Sequence, residues 1–151
     1  MKLFTRILFP TDFSTGAAPA FETAIRIAKE CGASLLLCHA YELTRLAETG
    51  YITASAYDEY EGAIRERAED QLRKLAEEAK RAGVDAETVV VCGFPDQAIV
   101  DVAARRGADL IVVGTHGRRG AARLFLGSVA SRVIATAPCP VLTVRFAGHE
   151  K

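Results

Sequence analysis

Five short apolar runs punctuate the chain, each separated from the next by a stretch with helical spacing: Leu3–Phe9, Ser34–Ala40, Ala86–Cys92, Asp109–Val113 and Val141–Phe146. They are apolar almost without interruption, whereas a strand with one wet face alternates apolar and polar residues. Unbroken runs are expected where helices cover both faces of a parallel sheet. After the first run, Ser14 or Thr15 is placed to cap a helix in which Phe21, Ala24, Ile25 and Ala28 recur, with Gly32 as its stop. Ile64, Ala68, Leu72, Leu75 and Ala79 form the stripe of a long amphipathic helix ended by Gly83. Pro95 opens a third, with Ile99, Val102 and Ala103 inward and Gly107 at its end; Val129–Ala137 carries the last helical pattern. Tyr41–Tyr60, which holds all four tyrosines, reads mostly as loop. Right-handed crossovers turn this order into an α/β fold, a three-layer doubly wound five-stranded parallel sheet. At 151 residues the chain suits one domain over residues 1–146, with 147–151 as a frayed tail.

A strand order of 3-2-1-4-5 reverses the winding between the first and fourth strands, and ligands bind outside the carboxyl ends at such a point. Those ends are Pro10-Thr11-Asp12 and Gly114–Gly117. The second opens the stretch Gly114–Ser128, GTHGRRGAARLFLGS, whose spacing is G-x2-G-x9-G-S at Gly114, Gly117, Gly127 and Ser128. Glycines past a strand let a ligand approach bare backbone. A Gly-Ser pair opening a helix offers unbonded N–H groups, a hydroxyl and the positive end of the dipole to an anion. Connections of this kind usually take about 2–6 residues, and this one is roughly twice as long, which favours a ligand loop over a plain turn.

Charge supports the same end of the chain. Net charge is zero, which disfavours a broadly basic nucleic-acid binder. Yet arginines 105, 106, 118, 119, 123 and 132 face only Asp109 across that stretch, leaving a local excess of +5. Between Glu42 and Glu78, ten acids outnumber five bases. Two solvated faces of opposite sign are the plainer account of both. A Walker phosphate loop is absent, because no Gly-Lys pair occurs anywhere; without that lysine, fast phosphoryl transfer loses a standard part. A helix terminus contributes only about 0.3–2 kcal/mol to an anion, whereas micromolar binding needs about 8 kcal/mol. Several N–H contacts, a metal or arginine charge, and burial of a base must share the load.

Other polar residues have ordinary readings beside functional ones. Asp12 is either a turn residue or a ligand contact at the switch point. Arg118 can reach a phosphate; Arg119 reads as solvated. His116 has no second base or nucleophile partnering it in sequence, and His39 beside Cys38 makes a poor metal pair. The tyrosines form a lid, a partner surface or simple packing under a loop. Cys31, Cys38, Cys92 and Cys139 show no metal or redox spacing; Cys38 and Cys92, within apolar runs, read as reduced core residues. Met1–Pro10 is too short for a signal peptide and no run reaches membrane-spanning length, so no membrane insertion and a cytoplasmic location are expected.

The opening ILFPTDFS (Ile7–Ser14), CHAYE (Cys38–Glu42), DLIVVGTHGRRG (Asp109–Gly120), LFLGSVASRVI (Leu124–Ile134) and APCPVLTVR (Ala137–Arg145) together resemble the ATP-binding branch of the universal stress protein family. The G-x2-G-x9-G-S spacing is that branch's nucleotide signature. The resemblance implies a Rossmann-like fold of the adenine nucleotide alpha hydrolase-like kind. It implies ATP along the carboxyl edge, with Pro10, Thr11 and Asp12 on the adenine and ribose side and Ala40 covering the base. Gly114, Thr115, Gly117 and Arg118 would wrap ribose and phosphates, and Gly127, Ser128 and Val129 would donate to the phosphates. It further implies Mg²⁺ or Mn²⁺ beside the phosphates and a homodimer joined through Val141–Phe146. On this resemblance the chain is a cytoplasmic, nucleotide-dependent dimeric regulator of the stress response, with slow or no hydrolysis and no catalytic residue assigned. The alternatives are a weak ATPase or phosphotransferase using Asp12 or His116, or a module that docks an unidentified protein and keeps a vestigial nucleotide site.

Overall fold

A computed structural model describes residues 1–43, 50, 52–115 and 126–146. Five strands, β1 (Arg6–Pro10), β2 (Ser34–Tyr41), β3 (Ala86–Cys92), β4 (Leu110–Gly114) and β5 (Val141–Val144), form one sheet in the order β3-β2-β1-β4-β5. Every pairing is parallel, as the unbroken apolar runs require. Among the described residues four α-helices connect them: α1 (Ala18–Cys31), α2 (Ala54–Arg81), α3 (Pro95–Arg106) and α4 (Ser128–Thr136). The doubly wound arrangement and its order are those expected from the sequence.

Alternation along each strand divides the core in two. Ile7, Phe9, Leu35, Leu37, Leu110 and Val112 point to one face, where α1 and α2 cover them with Phe21, Ala24, Ala28, Leu72 and Ala79. Leu8, Leu36, Cys38, Ile111 and Val113 point to the other, under Ile99, Val102 and Ala103 of α3 and Ala130 and Val133 of α4. Gly32 and Gly107 end α1 and α3 with φ of 65° and 67°, a left-handed conformation that most side chains resist.

Four local expectations are corrected. β1 begins at Arg6, not Leu3, because the amides of Thr5 and Arg6 donate to the Asp109 carboxylate instead of to a neighbouring strand. The loop expected over Tyr41–Tyr60 gives way to helix before its end: α2 starts at Ala54, capped by Thr53, whose hydroxyl accepts from the Ala56 amide at 3.1 Å. Residues 44–49 and 51 of that segment lie outside the described residues. Ser14 precedes a 3-10 turn (Thr15–Ala17) without capping it through its side chain. Cys92 is exposed, because β3 is an edge strand whose last residue faces solvent. Cys38 is buried as expected, and burial pushes its thiol up to about 12, against a smaller opposing pull from Arg106.

Helix α2 is long for its sheet. Its 28 residues span about 42 Å, against about 26 Å for the eight residues of β2. Its buried residues, Ala68, Leu72 and Ala79, all fall in its second half. Toward the first half, Tyr41 donates to Glu61 Oε1 at 3.0 Å, and the Arg65 guanidinium lies 5.6 Å from the centre of the Tyr41 ring.

Candidate functional site

Strands β1 and β4 are hydrogen-bonded neighbours, and the helices that follow them leave for opposite faces of the sheet. A crevice therefore opens between their carboxyl ends. One wall is the segment Thr11–Ser14. The Thr11 amide donates to the Cys38 carbonyl at 2.8 Å, extending the β1–β2 ladder by one residue. Its hydroxyl accepts from the Phe13 amide at 3.0 Å, and the Asp12 carboxylate accepts from the Ser14 amide at 2.9 Å. These two turns occupy one oxygen each of Thr11 and Asp12 and fold the segment tightly back on itself. Phe13, between them, has φ 63°. A phenylalanine held there costs of order 1–3 kcal/mol, so its surroundings must enforce it. Its ring stacks on His39 of β2 at 4.5 Å between centroids and 30° between planes, while His39 Nδ1 lies 2.8 Å from the Thr11 carbonyl oxygen. Ala40, the next residue of β2, is half-buried at the same edge.

The facing wall is built by the end of β4 and the start of α4. The Thr115 amide donates to the Val144 carbonyl at 3.1 Å, and the Thr115 carbonyl accepts from the Gly127 amide at 2.8 Å. That second bond fastens the entrance of α4 to the tip of β4. Gly127 is the N-cap, in extended backbone (φ −62°, ψ 153°), and brings no side-chain cap to the helix. Its carbonyl accepts from Ser131 at 2.9 Å, the first bond inside the helix. The first-turn amides of Ser128 and Val129 thus have no carbonyl within the helix and no capping side chain on Gly127, and the dipole of a nine-residue helix stands behind them. Gly127's own amide hydrogen is already committed to Thr115, so this residue serves by lacking a side chain. Ser128 is exposed, with its hydroxyl beside these amides in sequence.

The structure thus brings Pro10, Thr11, Asp12 and Ala40 to one edge, with Gly114, Thr115, Gly127, Ser128 and Val129 at the ends of the adjoining elements. Gly117 and Arg118 lie outside the described residues, as do His116 and Arg119. Among the described residues no three His, Cys, Asp or Glu side chains stand together as a metal cluster. His39 and Phe13 are the residues that the sequence left unassigned. Their signal was register: Pro10 pairs with Cys38, so the residues after them, Thr11 and His39, fall side by side.

The model of the universal stress protein family matches residues 3–145. The universal stress protein MJ0531 of Methanocaldococcus jannaschii is 36% identical over 144 residues, covering 95% of this chain and 84% of the relative. The solved structure of MJ0577, from the same organism, superposes with a TM-score of 0.86 at 26% identity, covering 97% of this chain and 99% of that one. A universal stress protein solved in complex with cAMP superposes with a TM-score of 0.68 at 28% identity, covering 95% and 98%. With a match over nearly its whole length and the same architecture, this chain belongs to the universal stress protein family.

Proposed function

We propose that the crevice between β1 and β4 binds an adenine nucleotide, ATP with Mg²⁺ or Mn²⁺, and that the protein belongs to the family's ATP-binding branch. The observation that carries this reading is the entrance of α4: an extended glycine N-cap with no capping side chain, fastened to the tip of β4, with the Ser128 and Val129 amides ahead of it. In this reading Pro10, Thr11, Asp12 and Ala40 line the base and ribose. Gly114, Thr115, Gly117 and Arg118 wrap the ribose and phosphates, and Gly127, Ser128 and Val129 form the phosphate cradle. Binding of cAMP by a family relative is consistent with an adenine ligand here. With no Gly-Lys pair to supply a phosphate-loop lysine, hydrolysis is slow or absent.

The same reading makes the protein a dimeric cytoplasmic regulator in the stress response. β5 is an edge strand of the sheet, and Ile134, Leu142 and Phe146 at that side are exposed; an apolar edge of this kind invites pairing with a second copy. None of the four cysteines is bridged, in keeping with a reducing compartment. The test is titration calorimetry with ATP and Mg²⁺. Saturable heat with a 1:1 ratio is expected, and its absence at millimolar nucleotide refutes the reading. Phosphate release that matches buffer while ATP stays bound separates a holder of nucleotide from an ATPase.

A further inference from the structure

Phe13 is the single non-glycine residue with positive φ among the described residues. Asparagine or aspartate can favour that region by bonding to local backbone, but a phenylalanine side chain has no such means. The segment also gives up a hydrogen bond to sit as it does: the Ser14 hydroxyl is enclosed and has no partner among the described residues. Conformations of this cost persist only where neighbouring structure fixes them, and they gather where a binding geometry depends on them.

The fixing element is β2. His39 lies in the ladder, paired with Val90 of β3, so its backbone is held from outside the segment. A carbonyl oxygen can only accept, so the 2.8 Å contact with the Thr11 carbonyl requires the hydrogen on Nδ1. One imidazole therefore bonds residue 11 through its edge and stacks on residue 13 through its face. Asp12 is bracketed between those two grips.

We propose that His39 and Phe13 are positioning residues of the nucleotide crevice: by bonding the Thr11 carbonyl and stacking on the Phe13 ring, His39 holds the left-handed backbone at Phe13 and so sets how Thr11 and Asp12 face the ligand. The inference rests on the nucleotide reading above and adds residues to that site that need not touch the ligand. Their contribution is preorganisation, which raises affinity by sparing the ligand the cost of ordering the loop.

The experiment measures ATP–Mg²⁺ affinity by calorimetry and melting temperature without nucleotide, for the full chain and four variants. His39→Leu removes bond and ring, and Phe13→Gly removes the ring while tolerating the backbone; each is expected to weaken binding about tenfold. His39→Asn places an amide nitrogen near the position of Nδ1 and is expected to recover part of the loss, and Phe13→Tyr, which keeps the ring, to bind like the native chain. Nitrogen-15 spectra of native protein should show His39 protonated at Nδ1. Wild-type binding with His39→Leu and Phe13→Gly within about twofold of it overturns the positioning role and leaves the nucleotide reading standing. A native chain that binds no nucleotide removes both. If His39→Leu does not fold, Phe13→Gly and the nitrogen-15 spectrum decide: unchanged affinity, or a bare Nδ1, sinks the proposal.

Discussion

The two ends of the sheet are built to opposite rules. At the amino end, side chains close the strand starts. The Asp109 carboxylate accepts from the Thr5 amide at 2.8 Å, the Thr5 hydroxyl at 2.8 Å and the Arg6 amide at 3.0 Å. Glu87 of β3 receives Arg6 at 2.7 Å and Arg106 of α3 at 2.9 Å. At the carboxyl end, polar groups instead hold an awkward backbone, and a helix begins at a glycine that brings no side-chain cap. On the proposed nucleotide reading, the strand starts are sealed for stability while the strand tips keep donors for a ligand. Mutations should therefore move melting temperature at one end and affinity at the other.

The largest effect expected is at Gly127. Its extended backbone suits any residue, so Gly127→Val should fold normally, yet place a branched side chain before the α4 amides. ATP affinity should fall by about a hundredfold, on the order of 2.7 kcal/mol, while the poorer N-cap lowers the melting temperature by only about 2–4 °C; an equally large loss of stability breaks the division between ends.

Next comes Asp109→Ala, which strands two backbone amides and one hydroxyl. A loss of about 2 kcal/mol is expected, or about 4–8 °C in melting temperature, with nucleotide affinity unaltered. A calorimetric change in affinity larger than the change in stability would contradict it. Acid sharpens the same point. Burial pushes the Asp109 carboxyl up, but bonds from the Arg6 and Thr5 amides and the Thr5 hydroxyl outweigh it and hold it below the usual carboxylate range. A folded-state value below the unfolded one gives stability above the unfolded value that fades as pH falls through the folded one. Melting followed from pH 6 down to about 2 should show Asp109→Asn losing less stability on acidification than the native chain.

The smallest effect is at Glu87. Its side chain is 57% exposed, and both of its arginine pairs sit near the surface. Glu87→Gln should cost less than about 1 kcal/mol, shrinking as salt rises. A salt-independent loss would mean that this end is closed by more than exposed charge.

Much of the fold was legible because buried strands and helix stops leave local marks. Unbroken runs such as Ile7–Phe9 and Ile111–Val113 announced a covered parallel sheet, and Gly32 and Gly107 marked helix ends through their backbone freedom. The start of α2 was not legible, for a physical reason. Ala54–Ala63 contains no buried residue, so nothing selected an apolar stripe there, and without a stripe a helix looks like a loop. Cys92 misled because an apolar run does not say which strand will end at the edge of a sheet. At the crevice, spacing and topology were enough to put Asp12, Gly114 and Gly127 at adjoining strand and helix ends, where the structure has them. The left-handed Phe13 could not, since it is imposed by His39, which is distant in sequence and brought near by strand register.

The overreach of α2 past the sheet divides one helix into parts with different lifetimes. Beyond Ala68 its amides are locked by the core, but the turns before it are tied to the sheet, among the described residues, mainly through Tyr41 and Arg65. Those turns can unwind and re-form while the domain stays folded. In deuterated water, the amide hydrogens of Ala54–Arg67 should be replaced long before those of Ala68–Arg81, although no break in the helix separates them.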